Sequence, residues 1–273
     1  MRVAQVRASM ATPLPTMWHA QALTLIGLVG IFIGWRGGMR RMVGFYDMPN
    51  ATIHLAWGIA IGGLSAWFVD SLFIQPMLAV RAVPVESVVL LLFIGLAQTG
   101  AVHLLLTRER VKLLRAAPTS GWTFGLGLGG MQVVYLLIRV ADENWIGIIS
   151  GFGTPTILLG VYLAVFAPWL QGIIGAWQGA GILSGRPWAA IWKAALARGL
   201  LLFLLAYGVL NLPMLLMLVP AVLLGQMRAD DDWLPLALLP SLRQEYERVR
   251  RRGRKRLKQR QERERGVPVS EEE

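Results

Sequence analysis

The feature that most restricts what this chain can fold into is a succession of apolar runs, each near the roughly 20 residues a helix needs to cross a bilayer. The runs lack the polar stripe that a soluble helix turns toward water. The 273 residues are 55% hydrophobic with a mean hydropathy of +0.53. The expected fold class is all-α: a polytopic transmembrane helical bundle of about seven spans with a basic cytoplasmic C-terminal helix. The sequence has no cysteine, which excludes disulfides, a thiol nucleophile and thiolate metal sites.

In chain order, residues 1–17 are a short polar lead, and Trp18–Trp35 is the first span, with tryptophan at both ends as interfacial anchors. No small-x-small cleavage site follows it, so it reads as an uncleaved anchor rather than a signal peptide. The basic loop Arg36–Asn50 leads to the second span, His54–Ile74, whose far end is marked by Asp70 and Gln75-Pro76. At that end a solvated cap is the expected place of Asp70. The turn Val80–Pro84 precedes the third span, Val85–Leu106, and the basic loop Thr107–Ser120 precedes the fourth, Gly121–Val140. Ile146–Gly153 is apolar but glycine-broken and too short to span, which suits an outer loop or re-entrant piece. Pro155–Leu183 is the fifth span, interrupted by Pro168. Gly185–Arg198 is basic again, and Leu200–Leu210 continues the sixth span as far as Asn211. Leu212–Met227 is the last span, so the bundle occupies residues 18–227 and a basic tail residues 228–273.

Polar residues inside the spans are few. The third carries Gln98, Thr99 and His103, and the fourth carries Gln132. Gly125, Gly129 and Gln132 are spaced four and three apart and share one helical face. The fifth span has a second stripe of small residues and amides: Gln171, Gly172, Gly175, Gln178 and Gly179. Small residues let two backbones approach closely in a membrane, so Gly125, Gly129, Gly172, Gly175 and Gly179 are read as packing positions and the glutamines as interhelical bonds. Phosphate binding does not suit a glycine-rich segment inside an apolar run.

Ala97-Gln98-Thr99-Gly100-Ala101, a basic loop, and then Phe124-Gly-Leu-Gly-Leu-Gly-Gly-Met-Gln132 resemble the PrsW and YhfC families of intramembrane proteases, within the superfamily of CAAX prenyl proteases and bacteriocin-processing enzymes. Those families carry Glu-Glu-x-x-Lys/Arg in one helix and a glycine-rich helix ending in Glu or Glu-Asn in the next. By that resemblance Ala97 and Gln98 stand for the glutamates, Ala101 for the cation, and Met131-Gln132 for Glu or Glu-Asn. Pro168-Trp-Leu-Gln171 fits the family's Pro-x-x-His frame with glutamine for histidine. Tyr207 and Asn211 fit His-x-x-x-Asn with tyrosine for histidine. The resemblance covers most of Arg41–Leu224 and implies that Gln98, Gln132, Gln171 and Tyr207 converge on one interior site whose chemistry has been lost.

A water-activating hydrolase needs a carboxylate base, with histidines to bind metal or orient the water. The three histidines, His19, His54 and His103, fall on none of these positions, and amides are neither bases nor charged ligands. No catalytic residue, cofactor or metal is expected. The implied function is a catalytically silent relative that holds a membrane client, helix or lipid, in a polar interior site. Two alternatives stand beside it: a transporter or permease subunit (or a scaffold) using the same amides, and a still-active peptidase with non-standard residues.

The basic loops fall on one side: Arg36, Arg40 and Arg41, then Arg108, Arg110, Lys112 and Arg115, then Arg186 and Lys193. The positive-inside rule places the N-terminus outside and the C-terminus in the cytoplasm of a cell membrane, with Arg81 and Arg139 on the far side. Within the tail, Ser241–Arg265 holds twelve Lys or Arg against four Glu. Arg243, Arg250, Arg251, Arg252, Arg254, Lys255, Arg256 and Lys258 are the candidate contacts to anionic lipid, each worth about 1 kcal/mol near the surface. Nucleic acid or ribosome contact is the less favoured partner, because the tail lacks the interleaved aromatics that stack on bases.

Overall fold

The computed structural model describes residues 17–80, 86–142, 145 and 147–264. Residues 1–16 of the polar lead, Arg81 in the turn before the third span, Glu143, Asn144 and Arg265 lie outside the described residues, as do the side chains of Arg41 and Arg254. Among the described residues there are helices and no strand, and seven helices are long and apolar enough to cross a membrane. They divide into a bundle ending at Ala237 and a separate unit from Leu238 onward.

The principal helices of the bundle are α1 (Met17–Met39), α2 (Met48–Val69), α3 (Glu86–Leu106), α4 (Ala117–Val140), α5 (Thr154–Leu183), α6 (Pro187–Gly208) and α7 (Leu218–Arg228). In α2, α4, α5 and α6 a proline stands in the first turn, where its missing N–H costs nothing and its fixed φ suits a helix. The α4 helix is the axis: α1, α2 and α5 pack around it, while α3 leans mainly on α6. Close approach is built on glycine. A Cβ on Gly175 of α5 would lie 1.9 Å from the carbonyl oxygen of Gly121 on α4, and one on Gly125 would lie 2.1 Å from the carbonyl oxygen of Gln171. Gly129, Gly172 and Gly179 line the same seam, against Pro168, Trp122 and Ala117. On α1, Gly27, Gly30, Gly34 and Gly38 face α4 and α5.

Four boundaries differ from the sequence reading. First, α5 runs unbroken through Pro168. Proline removes the bond to the carbonyl of Ala164, but that oxygen lies 2.1 Å from where a Cβ of Gly30 would be, so the α1 backbone closes over it with a Cα–H contact. Second, α2 continues past Asp70 through a π turn, Asp70–Ile74, into Gln75–Val80. The wider turn sits directly before Pro76 and relieves the ring's clash with the preceding turn. Third, α6 starts at Pro187, so most of the basic stretch Gly185–Arg198 is inside the membrane helix. Fourth, the last span does not stop at Met227. It opens with the turn Leu212–Leu215 and continues beyond α7 through Ala229–Trp233 and Leu234–Ala237. Its acids are paired one turn apart, Gln226 with Asp230 at 2.7 Å and Arg228 with Asp232 at 3.2 Å, which supports helix there. Gly147–Gly153 is a series of bends in the connection before α5.

The second unit is α8, Pro240–Glu264. Arg243, Arg251, Arg252, Lys255, Arg256 and Lys258 are exposed on it, and Arg250 is half-buried. Pairs one turn apart line its surface: Arg243 with Glu247 at 3.6 Å, Lys258 with Glu262 at 3.8 Å and Arg260 with Glu264 at 3.0 Å.

Candidate functional site

Polar groups inside the bundle gather in four places. At the α4–α5 seam, the side chain of Gln171 donates through Nε2 to Oε1 of Gln132 at 3.1 Å. Both glutamines are buried because the glycines around them bring the two backbones together. The remaining atoms of the pair, Gln132 Nε2 and Gln171 Oε1, have no partner. Gln132 also borders a small cavity of about 30 Å³ between α2, α4 and α6, walled by Val69, Leu136, Leu202 and Ala206.

The second place is a groove of about 520 Å³ between α2 and α3. Ile61, Leu64 and Phe68 form one wall, and Phe93, Ala97, Gln98 and Ala101 form the other. Gln98 is 2% exposed, and neither its amide oxygen nor its nitrogen has a hydrogen-bond partner. An unpaired amide against hydrocarbon costs several kcal/mol or finds a partner.

The third place lies where α3, α5 and α6 meet. Arg198 of α6 donates through Nη1 to Thr99 Oγ1 at 2.9 Å and to Gln178 Oε1 at 2.7 Å. Gln178 Nε2 donates to the backbone oxygen of Thr99 at 3.0 Å, closing the cluster. The fourth is an ion pair: the Arg139 guanidinium of α4 bonds both carboxylate oxygens of Asp70, and Gln75 Nε2 adds a bond to Asp70 at 3.0 Å. Asp70 is thus a buried, paired acid rather than a solvated cap, because α2 continues past it and brings it against the end of α4.

The four positions expected to converge do so only in part. Gln132 and Gln171 bond each other, whereas Gln98 faces the α2–α3 groove. The ring of Tyr207 packs on Phe203 and Phe73, with centroids at 4.4 and 6.0 Å. Met131 lies against the glycines at 62 and 63 of α2, and Asn211 is exposed in the turn after α6, its backbone N–H bonded to the Tyr207 carbonyl at 2.9 Å. Ala97, Gln98 and Ala101 share the groove wall. Of the histidines, His19 stacks on Phe152 with centroids 3.9 Å apart, His54 Nδ1 contacts the Asn50 carbonyl at 2.7 Å, and the Nδ1 of His103 is buried without a partner. Among the described residues no group of three or more metal-binding side chains comes together.

The sequence reading missed Arg198, having counted its surroundings as a basic stretch ahead of the sixth span's apolar run. The signal was present in Arg186-Pro187, a helix start, followed by a run in which Lys193 and Arg198 are the only charges before Asn211.

These features define a class: a multi-pass α-helical integral membrane protein with seven membrane-crossing helices and several buried polar clusters. Compared with protein-family models, with curated proteins and with solved structures, the chain matches none.

Proposed function

We propose that this protein holds a client helix of another membrane protein in the α2–α3 groove and does not cleave it. The observation that carries the reading is the orphaned amide of Gln98 on the wall of an apolar groove of about 520 Å³. Gln98 lies well inside the 21-residue helix α3. A lipid acyl chain at that depth offers it no hydrogen bond. A transmembrane helix carrying Ser, Thr, Asn or Gln does, and it fills the apolar walls with its own side chains.

The resemblance to intramembrane proteases fits this reading at one point: Ala97, Gln98 and Ala101, which stand for the family's Glu-Glu and cation, lie together on the groove wall. A substrate groove retained after loss of the acids would bind without hydrolysing, since no carboxylate there can take a proton from water. In the same reading the loops bearing Arg36, Arg108 and Arg186 face the cytoplasm, and α8 rests on anionic headgroups.

A photocrosslinking residue at Phe93, introduced into the chain in its native membranes, tests the groove. The expected result is an adduct at the summed mass of two intact proteins, reduced several-fold by Gln98→Leu. Labelling no stronger than at outward-facing Phe32, lipid adducts alone, or a shortened client would each count against it.

A further inference from the structure

Arg198 lies at the middle of the 22-residue helix α6, with about 16 Å of helix on either side. It is 0% exposed. Its guanidinium carries five N–H donors in a fixed plane. Those on Nη1 are used by Thr99 and Gln178, and both acceptors are themselves anchored, since Thr99 Oγ1 donates to the Gly95 carbonyl at 2.8 Å and Gln178 Nε2 to the Thr99 carbonyl at 3.0 Å. Nε and Nη2 are buried with no partner. These two nitrogens form one edge of the guanidinium, the edge whose parallel N–H bonds match two oxygens of a carboxylate or phosphate.

Among the described residues no acid bonds to this edge. The described carboxylates within the membrane-crossing helices are engaged elsewhere or exposed: Arg139 holds Asp70, Asp230 accepts from Gln226, Asp232 pairs with Arg228, and Asp231 is exposed. Glu86 stands at the start of α3. Water could fill the free donors but would leave the charge uncompensated in hydrocarbon, where ionisable residues are rare and mark functional sites.

We propose that Arg198 is an oxyanion-binding site inside the membrane, which takes a carboxylate or phosphate side-on through Nε and Nη2 while Thr99 and Gln178 fix the opposite edge. The site is enclosed by α3, α5 and α6. An oxyanion enters when α3, which rests on α6 through the bare backbones of Gly95 and Gly199, moves aside. The oxyanion comes either on an amphiphile, such as a fatty acid or a lipid phosphate, or as a small free anion. This proposal does not depend on the reading of the α2–α3 groove.

The test is thermal unfolding of the full chain in detergent, followed by tryptophan fluorescence, with each anion compared with chloride at equal ionic strength. Acetate and inorganic phosphate probe the free source; dodecanoate and dodecyl phosphate, with dodecanol as the uncharged control, probe the amphiphilic one. A saturating oxyanion should raise the unfolding temperature by roughly 4–8 °C. Gln178→Glu places a carboxylate inside the cluster, so that variant should fold and lose the response. On the wild-type chain, the ¹⁵Nε resonance of Arg198, assigned by its absence from Arg198→Lys, should move with the same anion. A response to dodecanoate without acetate, or to dodecyl phosphate without phosphate, identifies the amphiphilic source; equal responses identify the free anion. No oxyanion acting beyond chloride and dodecanol, or a Gln178→Glu chain responding like wild type, overturns the proposal.

Discussion

The end of α4 and the middle of α6 each hold an arginine on a membrane-crossing helix, and the two are kept in opposite ways. Arg139 has a side chain 27% exposed and faces Asp70, whose side chain is 6% exposed, so charge meets charge near a helix end. Arg198 is wholly enclosed and meets a hydroxyl and an amide. A charge near the end of a span can reach water with part of its side chain and form a pair. A charge at mid-span gains only dipoles, and what neutral acceptors leave unmet has to come from outside the chain. The first arrangement is structural; the second is poised to receive something.

Removing one member of each cluster should separate the two cases. Arg139→Met leaves the Asp70 carboxylate buried without its counter-charge, and should cost about 3–5 kcal/mol of stability in denaturant unfolding of the detergent-solubilised chain. Replacing Asp70 and Arg139 together by leucine should recover most of that loss. A cost below about 1 kcal/mol for the single change would mean that Asp70 is not held as an anion, and the contrast would fail. Next in size is Arg198→Met, measured without added oxyanion. It removes an uncompensated charge but orphans Gln178 Oε1, at about 1–3 kcal/mol for the unmet acceptor. The two effects oppose each other, so the net change should stay within about 1 kcal/mol. A loss as large as that of Arg139→Met would show that Arg198 already has an acid.

The smallest effect belongs to a third group of arginines, those on α8, which are mostly exposed and of which Arg243 and Arg260 pair with glutamates one turn on. Such pairs contribute only about 0.2–1 kcal/mol each, so their role should show in lipid binding and not in stability. The chain has no cysteine, so Gln261→Cys can carry a single polarity-sensitive dye. Its emission should shift blue in anionic nanodiscs relative to neutral ones, and the shift should fade as salt shortens the screening length from about 8 Å to about 3 Å at 1 M. Equal emission in both lipids would contradict the reading.

How much of this was legible in the sequence follows from the range of the forces involved. Apolar length is a local property, and the runs around Trp18–Trp35, Val85–Leu106, Gly121–Val140 and Pro155–Leu183 each correspond to a helix of the structure. The charged ends were harder. Asp70 and Arg139 are 69 residues apart, and nothing in either neighbourhood announces the other. Arg198 looked like part of a basic stretch because a lone charge lowers local hydropathy whether it is solvated or enclosed. Its partners sit on two other helices, 20 and 99 residues away. Pro168 read as an interruption because the compensating contact comes from Gly30, on a helix far earlier in the chain. Tertiary pairing decided each of these cases, and a single sequence does not display it.

The glycine face of α1 has a consequence for how the protein is made. Gly27, Gly30, Gly34 and Gly38 rest on α4 and α5, yet α1 leaves the ribosome before either: α4 is complete only when Val140 has been added, and α5 only when Leu183 has. At about 5–20 residues per second, the roughly 140 residues between the end of α1 and the end of α5 take about 7–28 s. Until α4 is made, α1 waits in the bilayer with its docking stripe facing lipid; Gly30 waits longer, for α5, whose Ala164 carbonyl is covered only when it packs on α1. Biogenesis of this bundle is therefore a matter of keeping an early helix parked until two later ones arrive in turn, which makes α1 the segment most dependent on the insertion machinery.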